Sequence, residues 1–184
     1  MKKRSFIGAC VMLVAIVVAL PLGVHTSLTK LREEAGSSYY YDKTGFAIYQ
    51  GVEEREATAN NLITVAKRYT QTNPALAPLI EELDYAVRLT QNSYDDFAEE
   101  ASANQQMGKA AQALYEELKK TELSESDQKY PDQLIAQMES EQDKINRSSY
   151  NEDAREFNAR LDKFPVKLLL PFAGVQPLGT YAYE

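Results

Sequence analysis

The sequence predicts an all-α protein: an N-terminal transmembrane helix followed by a long antiparallel four-helix bundle. Three observations carry this. A basic tip of Lys2, Lys3 and Arg4 precedes an apolar run over residues 5–24, about the length that spans a bilayer core. Beyond it, apolar residues recur at alternating spacings of three and four, the period of a helix face. Prolines and short polar clusters then cut the chain into helix-length pieces with short connections, which favour antiparallel neighbours.

The N-terminal run contains Phe6, Ile7, Val11, Leu13, Ile16, Val17, Val18 and Leu20, and ends near Pro21-Leu22-Gly23. A cleaved secretory signal shares this order, but no small-residue cleavage site follows Leu20, so a retained anchor is the first expectation and an exported, cleaved protein the alternative. Lys2, Lys3 and Arg4 outweigh Lys30 and Arg32 beyond the run, which places the tip in the cytoplasm and the body outside it. The expected location is therefore the bacterial inner membrane, crossed once. Residues 1–28 form the tip and anchor, 29–43 a linker, and 44–184 the helical body with its apolar C-terminal tail. Leu28 to Ala35 extends the anchor helix until Gly36-Ser37-Ser38 breaks it, and three tyrosines follow. Tyr39, Tyr40 and Tyr41 either form an interfacial aromatic belt or pack across the open end of the bundle, the second being favoured.

In the body, Ile48, Val52, Arg55, Ala59, Leu62, Ala66 and Tyr69 mark one face of a first helix within residues 44–70, closed by Asn73-Pro74. Pro74 or Pro78 opens a second, with Leu76, Ile80, Leu83 and Val87 on one stripe and Leu79, Ala86 and Leu89 on another. Ser93 is the expected cap of a third, with Asp95 and Asp96 in its first turn and Phe97, Ala101, Asn104, Gly108, Ala111, Tyr115 and Leu118 on its face. Gly108 and Ala111 would admit a close neighbour. Pro131 and Pro165 bracket an unbroken fourth helix. On it, Tyr150, Ala154, Phe157, Leu161 and Phe164 are out of phase with Leu134, Met138 and Ile145, which implies a rotating buried face or a local change of supercoil. The tail over residues 166–178 is apolar and broken by Pro171, Gly174 and Pro177. It should fold over one bundle end, with membrane contact as the lesser alternative.

The residues also resemble the LemA family of bacterial membrane-anchored proteins. Arg55, Asn61-Leu62-Ile63, Lys67 and Tyr69 stand at the spacing of that family's R-x5-N-L-V-x3-K-x-Y pattern. Tyr130-Pro131-Asp132, Arg147-x-x-Tyr150-Asn151, Arg155-Glu156-Phe157-Asn158, Phe164-Pro165 and Gly174 continue it. The sequence departs from the pattern at Asn60, where a proline is usual, at Val175, where an aromatic is usual, and in a shorter interval between Tyr130 and Tyr150. The resemblance implies a single anchor and a four-helix bundle, and supplies no catalytic residue.

Composition excludes several functions. The chain carries 20 basic and 27 acidic residues; without the tip, 17 face 27, a net charge of −10. An acidic body does not suit nucleic acid, which needs a basic face, and disfavours lying flat on anionic lipid. Cys10 sits in the apolar run and His25 at its edge, so the body holds neither residue type. That removes a disulfide framework, Cys/His zinc sites, Cys nucleophiles and Ser-His-Asp triads. The carboxylate pairs Glu53-Glu54, Glu81-Glu82, Asp95-Asp96, Glu99-Glu100 and Glu116-Glu117 read as solvated faces, since adjacent acids point ~100° apart. No enzyme, metal or other cofactor is expected.

One constellation stands out. Arg55, Asn104 and Arg147 interrupt apolar stripes, and with Asn61, Tyr150 and Asn151 they would make a buried polar layer, balanced by Asp84 or Asp143. Alternatively both arginines lie at stripe edges and extend their heads to water. The expected role is a membrane-anchored scaffold that meets other envelope proteins through its helix faces or tail.

Overall fold

The break that ends the first helix comes where the sequence places it. The computed structural model describes residues 2–43 and 45–182, with side-chain surroundings given for Met12, Ala15 and from Ala19 onward. Among these there are seven α-helices and no strand. Helix α1 runs Lys2–Ser37, through the boundary drawn at residue 28, and Val24, Leu28, Leu31 and Ala35 form a stripe against the body. The second half of α1 is thus packed on the body. Most side chains of the predicted anchor lie outside the described set, and among the described residues no helix is long and apolar enough to cross a membrane.

Helices α2 (Ile48–Lys67), α3 (Leu76–Asn92), α4 (Phe97–Leu118) and α5 (Tyr130–Arg147) surround one apolar core. Leu62, Leu76, Leu83, Met107, Leu114, Leu118 and Met138 are fully buried there, each contributing ~1.5–3 kcal/mol relative to exposure. Gly51, a weak point for a helix on propensity, faces Ile145 so closely that a Cβ would stand 2.8 Å from its side chain. The start predicted at Thr44 lies outside the described residues, and α2 begins at Ile48.

One cap differs from expectation. Asp96, not Ser93, caps α4, its carboxylate accepting from the backbone N–H groups of Ala98 and Glu99. Ser93 instead donates its hydroxyl to the Leu89 carbonyl at 2.8 Å and closes α3. A serine offers one weak acceptor, whereas the Asp carboxylate meets two unpaired donors at the positive helix end.

The predicted unbroken helix over 131–165 is broken at Ser148, where the backbone turns extended (φ −62°, ψ 140°) and α6 (Ser149–Leu161) begins. The phase slip has this cause. Asp42, from the segment after α1, accepts from the Ser148 hydroxyl at 2.6 Å, the Ser149 N–H at 2.8 Å and the Ser149 hydroxyl at 3.1 Å. Asn151 donates to the Ile145 carbonyl at 2.7 Å, which also accepts the Ser148 N–H at 3.2 Å. Short polar side chains thus replace the helical hydrogen bonds on both sides of the break.

Beyond α6, residues of the tail form α7 (Val166–Ala173), which ends at Gly174 in the left-handed conformation (φ 63°). The chain then runs extended back to the body. Helices α1, α6 and α7, the tail and the near ends of α2, α4 and α5 enclose a second core around Tyr39, Tyr150, Phe157 and Tyr181.

Candidate functional site

The two cores meet at a polar junction. Arg55 of α2, buried to 3% exposure, donates from Nη1 to the Asn104 side-chain oxygen, to the Asn104 carbonyl at 3.3 Å and to Gln142 Oε1 at 2.7 Å. Asn104 Nδ2 donates to the same Gln142 oxygen at 3.2 Å. Three helices thereby share one register-fixing cluster, in which a wrong pairing would bury unsatisfied groups. Gly108 makes room: a Cβ there would lie 2.7 Å from Arg55 Nη2. The small residue admits a guanidinium rather than a neighbouring helix backbone.

Of the six residues predicted for a polar layer, the structure joins Arg55 and Asn104 directly. Tyr150 and Asn151 are buried but lie in the second core, and Asn61 and Arg147 are exposed. The anticipated counter-ions are elsewhere, Asp84 pairing with Arg88 at 2.5 Å and Asp143 exposed. Arg147 is exposed because the break at Ser148 shifts the helix phase just beyond it.

Gln142 links the junction to the tail, donating from Nε2 to the Tyr181 carbonyl at 2.8 Å. Tyr150 donates its hydroxyl to the Gly179 carbonyl at 2.9 Å. Asn158 closes a reciprocal pair with Leu178, giving Nδ2 to its carbonyl at 2.7 Å and accepting its N–H at 2.8 Å. Asn151 Oδ1 accepts the N–H groups of Tyr181 at 2.8 Å and Ala182 at 3.1 Å. The tail is a strap, and four polar side chains of α5 and α6 supply the partners a sheet edge would otherwise give it. At Gly179 the strap crosses the start of α4 so tightly that a Cβ would stand 2.4 Å from the Phe97 carbonyl oxygen.

Under the strap lies Glu100, fully buried although its neighbour Glu99 faces solvent as expected. Its carboxylate accepts the Tyr39 hydroxyl at 2.8 Å and the Tyr181 hydroxyl. Burial pushes the Glu100 carboxyl above its ordinary range, against the opposing hydrogen bonds from Tyr181 and Tyr39. Both tyrosines are driven upward in turn, by burial first and by the nearby carboxylate next. Tyr39, Tyr150 and Tyr181 stack edge-on or tilted, with ring centroids 5.6–5.9 Å apart. Of the three consecutive tyrosines, Tyr39 enters this cluster while Tyr41 stays exposed. Nearby Glu56 is also buried and raised by burial, and Tyr94 beside it is pushed up to about 12 by burial and the Glu56 charge.

Sequence reasoning missed Glu100, Gln142, Asn158, Tyr181 and Asp42 as partners. Gln142 sits at helical spacing between Met138 and Ile145, and Glu100 between Phe97 and Asn104, so their stripes carried the signal. Nothing local marks Asp42. Beside the junction, α4 and α5 leave an open cavity of about 360 Å³ lined by Arg55, Gly108, Lys109, Ile135, Met138 and Glu139. No group of three or more His, Cys, Asp or Glu residues among those described is placed to hold a metal ion.

The fold and site define an all-helical protein whose C-terminal strap is locked over a buried polar junction. The chain belongs to the LemA family, whose model matches residues 47–184, beginning at the residue before α2. No curated protein and no solved structure is similar enough to the chain to match it.

Proposed function

We propose that this LemA family chain is a membrane-anchored scaffold or adaptor of the bacterial envelope, a four-helix bundle without catalytic activity that meets other envelope proteins through its exposed helix faces. Helix α1 carries the reading. It holds the apolar run over residues 5–24 and continues without interruption to Ser37, and its second half is built into the second core through Leu28. At ~1.5 Å per residue, such a helix is long enough to span a bilayer core and still dock on the body. Anchor and body would then move as one rigid piece, which suits a protein that presents a surface at a fixed height. The buried polar groups favour the same reading, since Glu100 and its tyrosines are packed on one another and hold the strap.

Crosslinking in intact membranes, with photoreactive residues along the outer faces of α2 and α3, should trap a small reproducible set of envelope proteins. Only lipid and random neighbours, together with turnover of a small molecule by the purified protein, would replace the scaffold by an enzyme. The cavity beside Arg55 supports a second reading, an exported binding protein released by signal cleavage. Intact mass of the mature chain separates the two, because loss of the N-terminal run removes the anchor.

A further inference from the structure

Helix α7 turns one face inward and leaves the other bare. Ala173 is buried, and Val166 and Leu170 pack against the second core. Leu168 and Phe172, four residues apart on the opposite face, are 67% and 75% exposed, and Phe164 just before the helix is 85% exposed. These three large side chains are the most exposed of the body's hydrophobic residues apart from Tyr41. An unpartnered face of this kind is unfavourable in water and marks a contact surface.

Two observations say what covers it. The first is position. Helix α7 packs on α1, where His25 Nδ1 lies 2.6 Å from the Ala173 carbonyl, at the end of the apolar run over residues 5–24. On α1 itself Leu20 and Leu22 are exposed, so bare apolar surface is present on both helices near this point. The second is charge. Around the start of α7 the chain carries Arg160, Lys163 and Lys167 with Glu156 and Asp162, Arg160 meeting Glu156 at 3.9 Å and Lys167 meeting Asp162 at 3.0 Å, which leaves a local excess of one cation in a body of net charge −10. Cations beside an apolar helical face match anionic headgroups above acyl chains.

We infer that α7 is a second membrane contact: Phe164, Leu168 and Phe172 enter the interface of the bilayer crossed by α1, with Lys163 and Lys167 at its headgroups. This rests on the anchored reading. Eight residues bind lipid weakly alone, but α1 makes the second contact intramolecular and so raises its effective concentration. The pair would fix the tilt of the body, with the acidic remainder held away from the surface. The tail is therefore divided in role, α7 to the lipid and residues 175–182 to the body.

The chain has no tryptophan, so a single one reports its own surroundings. Full-length Phe172→Trp, Leu13→Trp and Tyr85→Trp proteins would be reconstituted into vesicles of zwitterionic and anionic phospholipid, with and without bromine on the acyl chains. Leu13 tests the anchor, and the exposed Tyr85 on α3 is the control remote from lipid. Expected is blue-shifted emission at position 172 that shallow bromines quench strongly, quenching by deep bromines at position 13, and none at 85. Quenching at 13 with water-like emission at 172 overturns the α7 contact and leaves the anchor standing. Blue-shifted but unquenched emission at 172 overturns it in favour of a protein occupant. Absence of quenching at both positions overturns the anchor and the contact together.

Discussion

Gly108 lies against Arg55 so closely that a Cβ at position 108 would stand 2.7 Å from the guanidinium Nη2. The guanidinium is the end of a flexible side chain, but its other nitrogen is held by Asn104 and Gln142. Gly108→Ala should therefore destabilise by about 1–3 kcal/mol, more than offsetting the ~1 kcal/mol that alanine gains over glycine in a helix. Urea unfolding measures it. A variant more stable than the wild type would show that the arginine swings aside freely.

Gly179 is the stricter case, because the atoms in the way are backbone, Phe97 O at 2.4 Å and Ala98 Cα at 2.5 Å. Neither can rotate away. Gly179→Ala should lift the strap, and hydrogen exchange should then accelerate at the Leu178 and Tyr181 amides, which Asn158 and Asn151 protect. Unchanged protection at both amides would mean that the strap crosses α4 with more room than the structure gives it.

Gln142 bridges the junction and the strap, accepting from Arg55 and Asn104 and donating to Asn146 and the Tyr181 carbonyl. Replacing it by alanine takes an acceptor from a charged donor and a donor from a buried carbonyl, a loss of roughly 2–4 kcal/mol. The strap amides should exchange faster as well. A loss confined to a few tenths of a kcal/mol would indicate that water replaces the amide.

Asp42 and Arg147 give a matched pair on either side of the Ser148 break. Asp42→Ala removes the acceptor shared by Ser148 and Ser149 and should cost about 1–2 kcal/mol, as loss of a helix cap does. Arg147→Ala, at an exposed position, should stay within about 0.5 kcal/mol. Chemical denaturation of both variants checks the contrast, and a reversal would place the buried charge at Arg147 after all.

Glu100 sets a pH dependence whose sign follows from its raised carboxyl. The folded state holds a proton at pH values where the unfolded chain, with a carboxyl near 4.3, has released it. Its contribution is thus fully present below that unfolded value and is lost as pH rises through the folded one. Glu56 acts in the same direction, while Asp127 and Asp132, lowered by hydrogen bonds from Tyr69 and Lys119 respectively, lose stability only as pH falls. Glu100→Gln should remove part of the decline in unfolding free energy as pH rises above the unfolded carboxyl value. A variant with an unchanged slope would show that Glu100 remains charged throughout.

Periodicity made the helices of the body legible, since Leu62, Leu83, Leu114 and Met138 repeat at helical spacing wherever they face the first core. It found Arg55 and Asn104 for the same reason, as polar residues in apolar stripes. It left Arg147 open between a buried layer and a stripe edge, and the exposed edge follows because the stripe does not carry across Ser148, where the competing bonds come from Asp42, more than a hundred residues earlier in the chain. Glu100 was read with Glu99 as a solvated pair, although only one of two adjacent helix positions can face outward when the other faces the core.

The sequence by itself determined the all-helical class, the LemA family and most helix stops, because these depend on local propensity, proline and a repeat that each segment carries alone. Only the tertiary structure decided the Ser148 break, the strap and the burial of Glu100. Each depends on a partner distant in the chain: Asp42 for Ser148, Asn151 and Asn158 for the strap, Tyr39 and Tyr181 for Glu100. A buried polar group is stable only with its hydrogen bonds made, and which residue makes them is settled when the helices meet.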